Sequence, residues 1–241
     1  MANKQSVTNE VNDLERRQTK YEPVARLLRD VYGDLDWRRD LDGMDELVSC
    51  ILSQNTNDIN RDRGFAALKA RYPGWQAIVD APTAELEETI RPAGLANQKA
   101  PRIQAALRTI YDERGEYNID FLDEMDIDEA KDWLTRLKGV GPKTAAIVLC
   151  FAYNREAFPV DTHVYRVSKR IGFLPEKISV DKAHDLMEAI VPPKDYYGFH
   201  ILLIRHGRDT CTARIPHCER CPLTDYCDYF LQISEEAGSP S

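Results

Sequence analysis

Long apolar runs are missing from this sequence. The longest, Ala145 to Tyr153, covers nine residues, well short of the ~20 a helix needs to cross a bilayer. Met1 to Lys20 is polar and carries acids, so neither a secretory signal nor a transit peptide is expected there. Strand-type alternation, Asn-Gly hairpin signals, a fixed-period repeat and a low-complexity core are also lacking. These absences argue against the membrane and secreted classes and against a β fold. What is there is a chain of 241 residues, 43% hydrophobic and 30% charged. That is enough to bury a core without crosslinks.

A net positive charge is lacking as well: 32 basic residues face 40 acids, for −8 overall. Taken whole, that balance speaks against nucleic acid. Its distribution does not. Asp112 to Glu129 holds nine acids and one base, so this stretch accounts for the whole excess, and its plain reading is a solvated face. Arg91, Lys99, Arg102 and Arg108 lie in a segment without any acid, and Lys131 to Lys143 balances to +3. A cationic face is compatible with a negative total.

Apolar residues recur with helical period. Val24, Leu27, Leu28 and Val31 follow it, as do Phe65, Leu68 and Tyr72, then Ile103, Leu107 and Ile110, then Val164, Val167 and Ile171. Asp126 with Glu129 predicts a capped helix running through Leu137. Asp181 predicts the start of another, and Gly207 a helix stop. The expected class is all-α. The ends, about Met1 to Thr19 and Ser234 to Ser241, are expected to be loosely held.

The chemistry concentrates in three motifs. The first is Leu137-Lys138-Gly139-Val140-Gly141-Pro142-Lys143-Thr144-Ala145. Two glycines permit a tight turn with positive φ, and Pro142 suits the first turn of a following helix. The free N–H groups there make an anion site, which on DNA holds a phosphate without regard to base. An ordinary turn between helices is the plainer alternative. Lys143 lies beside the positive end of the helix dipole, which disfavours a cation and pushes the amine towards its neutral, nucleophilic form. The plainer alternative is a surface lysine touching phosphate. The second motif is Val160-Asp161-Thr162-His163. Asp161 reads equally as the N-cap of the next helix and as a carboxylate able to take a proton or stabilise a cationic sugar.

The third motif is Cys211, Cys218, Cys221 and Cys227, spaced Cys-x6-Cys-x2-Cys-x5-Cys. Four soft ligands in one loop suit a [4Fe–4S] cluster or zinc, with a disulfide framework the weaker reading. Cys50 and Cys150 sit in apolar helical patterns and read as small core residues.

Taken together, these three motifs, in this order, resemble the endonuclease III family of helix–hairpin–helix DNA glycosylases, over about Asp45 to Tyr229. The resemblance implies a bifunctional glycosylase and abasic-site lyase acting on oxidised pyrimidines, with Lys143 as nucleophile and Asp161 as catalytic carboxylate. It implies a [4Fe–4S] cluster on the four cysteines, and Gly139, Val140, Gly141, His163 and Arg214 on the DNA-binding surface. Gly94-Leu95-Ala96 looks like the family's wedge loop, with Leu95 intercalating; otherwise Leu95 is a buried leucine after a helix stop. Where the family supplies a gap-filling glutamine, this chain reads Gln54-Asn55, and Asn55 takes the aligned position. A one-residue shift turns a side chain by about 100°, so the sequence leaves both open. Ile215 departs from the family, which often has a basic residue there; His217 and Arg220 are the candidates to compensate.

The expected architecture is two helical lobes around a DNA-binding cleft. Residues 37–155 would form a six-helix lobe with the hairpin, and 1–36 with 156–241 the iron–sulfur lobe. Lys143 and Asp161 would meet across the cleft. Expected partners are double-stranded DNA with damaged bases and no membrane, for a monomer in the prokaryotic cytoplasm associated with the nucleoid. Two alternatives remain: a mismatch-type glycosylase of the same fold, and an iron–sulfur DNA-binding protein with weak cleavage.

Overall fold

The computed structural model describes residues 2–238, and these are helical with no strand among them. No helix among them is long and apolar enough to cross a membrane. The chain divides into two compact units: Arg38–Arg155, and Met1–Trp37 with Glu156–Ser241.

The second unit opens with α1 (Ala2–Tyr32). Its buried stripe is Tyr21, Val24, Ala25 and Leu28. The stripe begins one turn earlier than the sequence pattern suggested, so Val31 falls past its end and is 53% exposed. The segment expected to be loose is anchored by Arg17, which is buried and donates to the carbonyls of Gly172 and Phe173 at 2.7 and 2.8 Å. A charged donor satisfying two carbonyls is worth more than a neutral bond, and it holds residues 12–19 in the helix.

The unit from Arg38 to Arg155 holds α2 (Gly43–Ser53), α3 (Asp58–Arg71), α4 (Trp75–Asp80), α5 (Thr83–Thr89), α6 (Ala96–Arg114), α7 (Ile127–Thr135) and α8 (Pro142–Ile147). α2 is its axis, packing against α3, α6 and α8. Leu47, Ile51 and Leu52 of α2 are fully buried, as are Ile103 and Leu107 of α6. Each such side chain contributes about 1.5–3 kcal/mol on burial. Asp42 and Asn57 cap α2 and α3 by accepting N–H bonds from Asp45 and Asn60. Asp126 caps α7, accepting from Asp128 and Glu129 at 3.0 and 3.3 Å. α7 stops at Thr135, two residues before the expected Leu137. α8 widens into a π-helical turn over Val148–Ala152.

The other unit continues with α9 (Thr162–Ile171), α10 (Val180–Ile190), α11 (Tyr196–Asp209) and α12 (Asp228–Gly238). α11 packs on α1 and α9. Phe199 of α11 gathers Tyr21, Phe173 and Phe158 around it, with ring centroids 5.1, 6.0 and 6.4 Å away. Two sequence expectations need correction here. The cap of α10 is Ser179, accepting from the Lys182 N–H, and Asp181 sits inside the first turn. Gly207 does not stop a helix but lies within α11. A Cβ there would sit 3.1 Å from His163 and Arg166, so close helix packing, not termination, calls for glycine. α12 likewise carries residues 234–238 in a helix, while the last three residues of the expected loose end lie outside the described residues.

Candidate active site and cluster site

The hairpin joins α7 to α8. Trp133 holds α7 in place: its indole donates to Glu113 at 2.8 Å, and its ring meets Phe121 edge-on. Leu137 and Val140 are buried under the turn, and the Val140 N–H bonds to the Leu137 carbonyl at 3.0 Å. Val140 can therefore offer a ligand only its backbone. Gly139 has φ +88°, the left-handed conformation that favours glycine. Gly141 is different: its backbone is extended, at φ −108° and ψ −179°. The expectation of positive φ holds for one glycine of the two. A Cβ on Gly141 would meet nothing within 4 Å, so the space beside it is open. Pro142 takes the first helical position as expected, and Lys143 follows it, exposed.

α2 and α6 brace this turn. Gln54, at the end of α2, donates its amide N–H to the Gly139 carbonyl at 2.7 Å. Arg102 of α6 donates to the Gln54 amide oxygen at 3.0 Å, and its aliphatic stem lies over Gly139. Asn55, the next residue, is exposed with φ +53°. Leu95 begins α6 with φ +48° and is 42% exposed. That exposure removes the buried-leucine alternative. Lys99, one turn on, is fully buried and donates to the carbonyls of Leu52 and Ala93 at 2.7 and 2.8 Å.

Sequence reasoning missed Arg102 as a contact of Gln54, and it missed Glu46. Cys50 donates its thiol to Glu46, one turn away on α2, at 3.4 Å. Burial raises the Glu46 carboxyl above its usual range. Burial also pushes the Cys50 thiol well up, with Glu46 adding to it and the Lys143 charge opposing. The available signal was a carboxylate flanked by the apolar Leu47, Val48, Ile51 and Leu52.

In the other unit, Asp161 caps α9: one carboxylate oxygen accepts the Val164 N–H at 2.7 Å. His163 is half-buried, and its Nδ1 lies 3.1 Å from the Arg166 guanidinium. Burial is the main cause that lowers the His163 pKa, against the pull of Asp161. Arg166 also donates to the carbonyls of Gly207 and Cys211 at 2.8 and 3.2 Å.

The four cysteines of the tail line one pocket with Arg170, His206, Pro216 and Leu223. All are free thiols, and Cys211 is buried. Arg170 donates to the Cys211 sulfur at 3.3 Å and to the Thr212 carbonyl at 2.7 Å. Among the described residues no group of three or more His, Cys, Asp or Glu is drawn together as it would be around a single metal ion. Four thiols around a shared pocket fit a polynuclear cluster, with one cysteine per iron. Burial raises the thiols of Cys218, Cys221 and Cys227, the last to about 11, so metal binding there must displace protons. Arg214 and Ile215 are exposed on the loop, Ile215 at 75%. Arg220 does not stand free to compensate for Ile215, because it donates to the Asp209 carbonyl at 2.6 Å. His217 lies 3.5 Å from Glu219.

Residues 48–193 match the model of the HhH-GPD superfamily base excision DNA repair proteins. The chain belongs to that superfamily. Residues 211–227 match the iron–sulfur binding domain of endonuclease III, a span bounded by the first and last cysteines of the tail. Endonuclease III of Sulfolobus acidocaldarius is 33% identical over 195 residues, 77% of this chain and 81% of that protein. Endonuclease III of Bacillus subtilis is 34% identical over 181 residues, 75% and 78% of the two. A solved endonuclease III–DNA complex matches with a TM-score of 0.77 at 28% identity, over 90% of this chain and 98% of that one. A thermostable thymine-DNA glycosylase, 23% identical with a TM-score of 0.73, shares the fold. This HhH-GPD protein is thus an endonuclease III-like DNA glycosylase/lyase of base excision repair, with a [4Fe–4S] cluster as its cofactor.

Proposed function

We propose that the protein excises oxidised pyrimidines from double-stranded DNA and cuts the strand at the abasic site it creates. The observation that carries this reading is the exposed Lys143 in the first turn of α8, directly after the open turn at Gly141. In its neutral form the Lys143 amine attacks C1′ of the damaged nucleotide. The glycosidic bond breaks, and the base leaves with the electron pair and takes up a proton. The amine loses its proton, the sugar ring opens, and a Schiff base forms between Nζ and C1′. Removal of a C2′ proton then expels the 3′ phosphate by β-elimination. One oxygen of Asp161 is committed to the Val164 N–H. The other is assigned to the developing positive charge on the sugar.

The turn of Gly139, Val140 and Gly141 is assigned to a phosphate, with the Val140 N–H given to Leu137 as an internal brace, and Arg214 and His163 beside the DNA. Leu95 is the wedge that fills the stack when the nucleotide is extruded. Cys211, Cys218, Cys221 and Cys227 would hold the cluster, which supplies the crosslink ordering the residue 211–227 loop. The working species is a monomer in a prokaryotic cytoplasm, associated with the nucleoid.

Borohydride trapping tests this directly. The protein is expected to form a covalent adduct with duplex DNA carrying one oxidised pyrimidine. Lys143→Gln should keep the helical circular dichroism and lose both adduct and strand cleavage. Undiminished cleavage by that variant would overturn the assignment.

A further inference from the structure

Two adjacent amides stand at the end of α2, and the structure gives them different surroundings. Gln54 is half-buried and fully engaged: its N–H bonds to the Gly139 carbonyl at 2.7 Å, and its oxygen accepts from Arg102 at 3.0 Å. Asn55 is exposed, and its left-handed backbone turns it away from the α2 helix. Arg102 itself is fixed beside Lys99, one turn earlier on α6, and Lys99 ties the Leu52 carbonyl of α2 to the Ala93 carbonyl before the Leu95 turn. One face of α6 thus fastens three segments: the end of α2, the Gly94–Leu95 turn and the hairpin.

We propose that Gln54 is a positioning residue that clamps the hairpin turn to the end of α2 through Gly139 and Arg102, leaving Asn55 as the amide that meets a base. The inference rests on the glycosylase reading above for the meaning of Asn55; the clamp itself does not. Gly139 has positive φ, and its carbonyl accepts the Gln54 amide N–H at 2.7 Å. Bonded to Gln54, that carbonyl joins the Val140 N–H, which donates to Leu137 at 3.0 Å, in holding the peptide plane between Gly139 and Val140, and so the direction in which the next N–H, at Gly141, points. A grip on phosphate made of backbone N–H groups depends on that direction. Insertion of Asn55 and the phosphate grip would then move as one unit, because the residue before Asn55 is bonded to the turn.

Hydrogen exchange on the cluster-loaded, DNA-free protein tests the clamp, and fluorescence anisotropy on intact and lesion duplexes tests its consequence. Gln54→Leu keeps the shape and removes both bonds. It should speed exchange at residues 138–143 and 53–56 together. It should weaken both duplexes by the same factor, about 3- to 10-fold, which is the loss expected for one net hydrogen bond. Arg102→Met should speed exchange in the same two segments, and the double variant should exchange no faster than the worse single, since both break one network. Asn55→Ala should leave hairpin exchange and intact-duplex affinity within about twofold and erode the lesion preference. If Gln54→Leu left hairpin exchange unchanged and lost only the lesion preference, Gln54 would be the base-facing amide and the proposal would be wrong. Unchanged exchange in both clamp variants would overturn it as well. Failure of the enzyme reading shows separately, as a wild-type protein that binds duplex without cutting it.

Discussion

Lys99 gives the sharpest quantitative expectation. It is 1% exposed, and its ammonium faces two carbonyls, Leu52 at 2.7 Å and Ala93 at 2.8 Å. Burial, with the nearby Arg102 charge adding, brings its pKa down to about 8. In the unfolded chain the value returns to about 10.4. Between those two values the unfolded state binds a proton that the folded state lacks, so stability rises with pH across this window. The full span corresponds to about 3 kcal/mol, of which roughly 2–3 is gained between about pH 7.5 and about pH 10. The hydrogen bonds survive the titration, because a neutral amine keeps two N–H groups for its two acceptors. Lys99→Met removes the buried charge but leaves two carbonyls without their donor, at about 1–3 kcal/mol each. Near neutral pH those effects partly offset each other. At alkaline pH only the loss remains. The stability gap between wild type and Lys99→Met should therefore widen by about 2–3 kcal/mol from about pH 7.5 to about pH 10. Urea titrations followed by tryptophan fluorescence measure it well, since Trp75 and Trp133 both lie in the same unit as Lys99. Other titrating groups cancel in the difference. A gap that stays constant or narrows with pH refutes the reasoning.

The two hairpin glycines should respond in opposite ways. Gly139→Ala meets both a positive φ and the Arg102 stem at 2.7 Å, so thermal unfolding should show a loss of about 1–3 kcal/mol; Gly141→Ala meets nothing, so it should unfold like wild type yet bind intact and lesion duplexes more weakly by a common factor. Leu95→Gly relieves a left-handed leucine, so it should raise stability by about 1 kcal/mol while lowering the preference for lesion over intact duplex; a loss of stability would refute the strain argument, and an unchanged preference the wedge. The purified protein should be yellow-brown and hold four irons by metal analysis. Cys221→Ala should lose iron and leave residues 211–227 open to protease.

Much of the fold was legible because its elements obey local rules. The α9 stripe Val164, Val167 and Ile171 is buried as the period demands, and Asp126 caps α7 where its position ahead of Glu129 placed it. The failures have a common cause, which is contact with something distant in sequence. Gly207 resembles a helix stop until α9 packs across it. Residues 12–19 look loose until Arg17 reaches Gly172 and Phe173, more than 150 residues away. Arg102 reads as a surface cation until Gln54, 48 residues earlier, accepts its hydrogen bond. The three chemical motifs could be read because each is contiguous. Glu46 could not, because its role depends on burial beside Cys50, and a carboxylate in a helix is ordinarily a solvated one.

Left-handed backbone at a non-glycine residue calls for an explanation at each position. Three such residues occur in the described chain: Asn55, Leu95 and Asn154. Asn154 has a structural explanation. It follows the π-helical turn at Val148–Ala152 and returns its N–H to the Cys150 carbonyl at 3.1 Å, as a left-handed residue ending a helix does. Leu95 has none of that kind. Left-handed leucine costs about 1–2 kcal/mol, and with 42% of its surface exposed it returns little of that to the core. Asn55 directly follows the Gln54 cap of α2, where a left-handed asparagine is an ordinary helix ending, and it too is exposed. Strain of this sort persists only where the surroundings enforce it. Here the enforcing groups can be named: Lys99 holds the carbonyls before both turns, and Gln54 holds the residue next to Asn55. A buried lysine and a doubly bonded glutamine therefore hold in place the turns that carry two exposed residues with left-handed backbone.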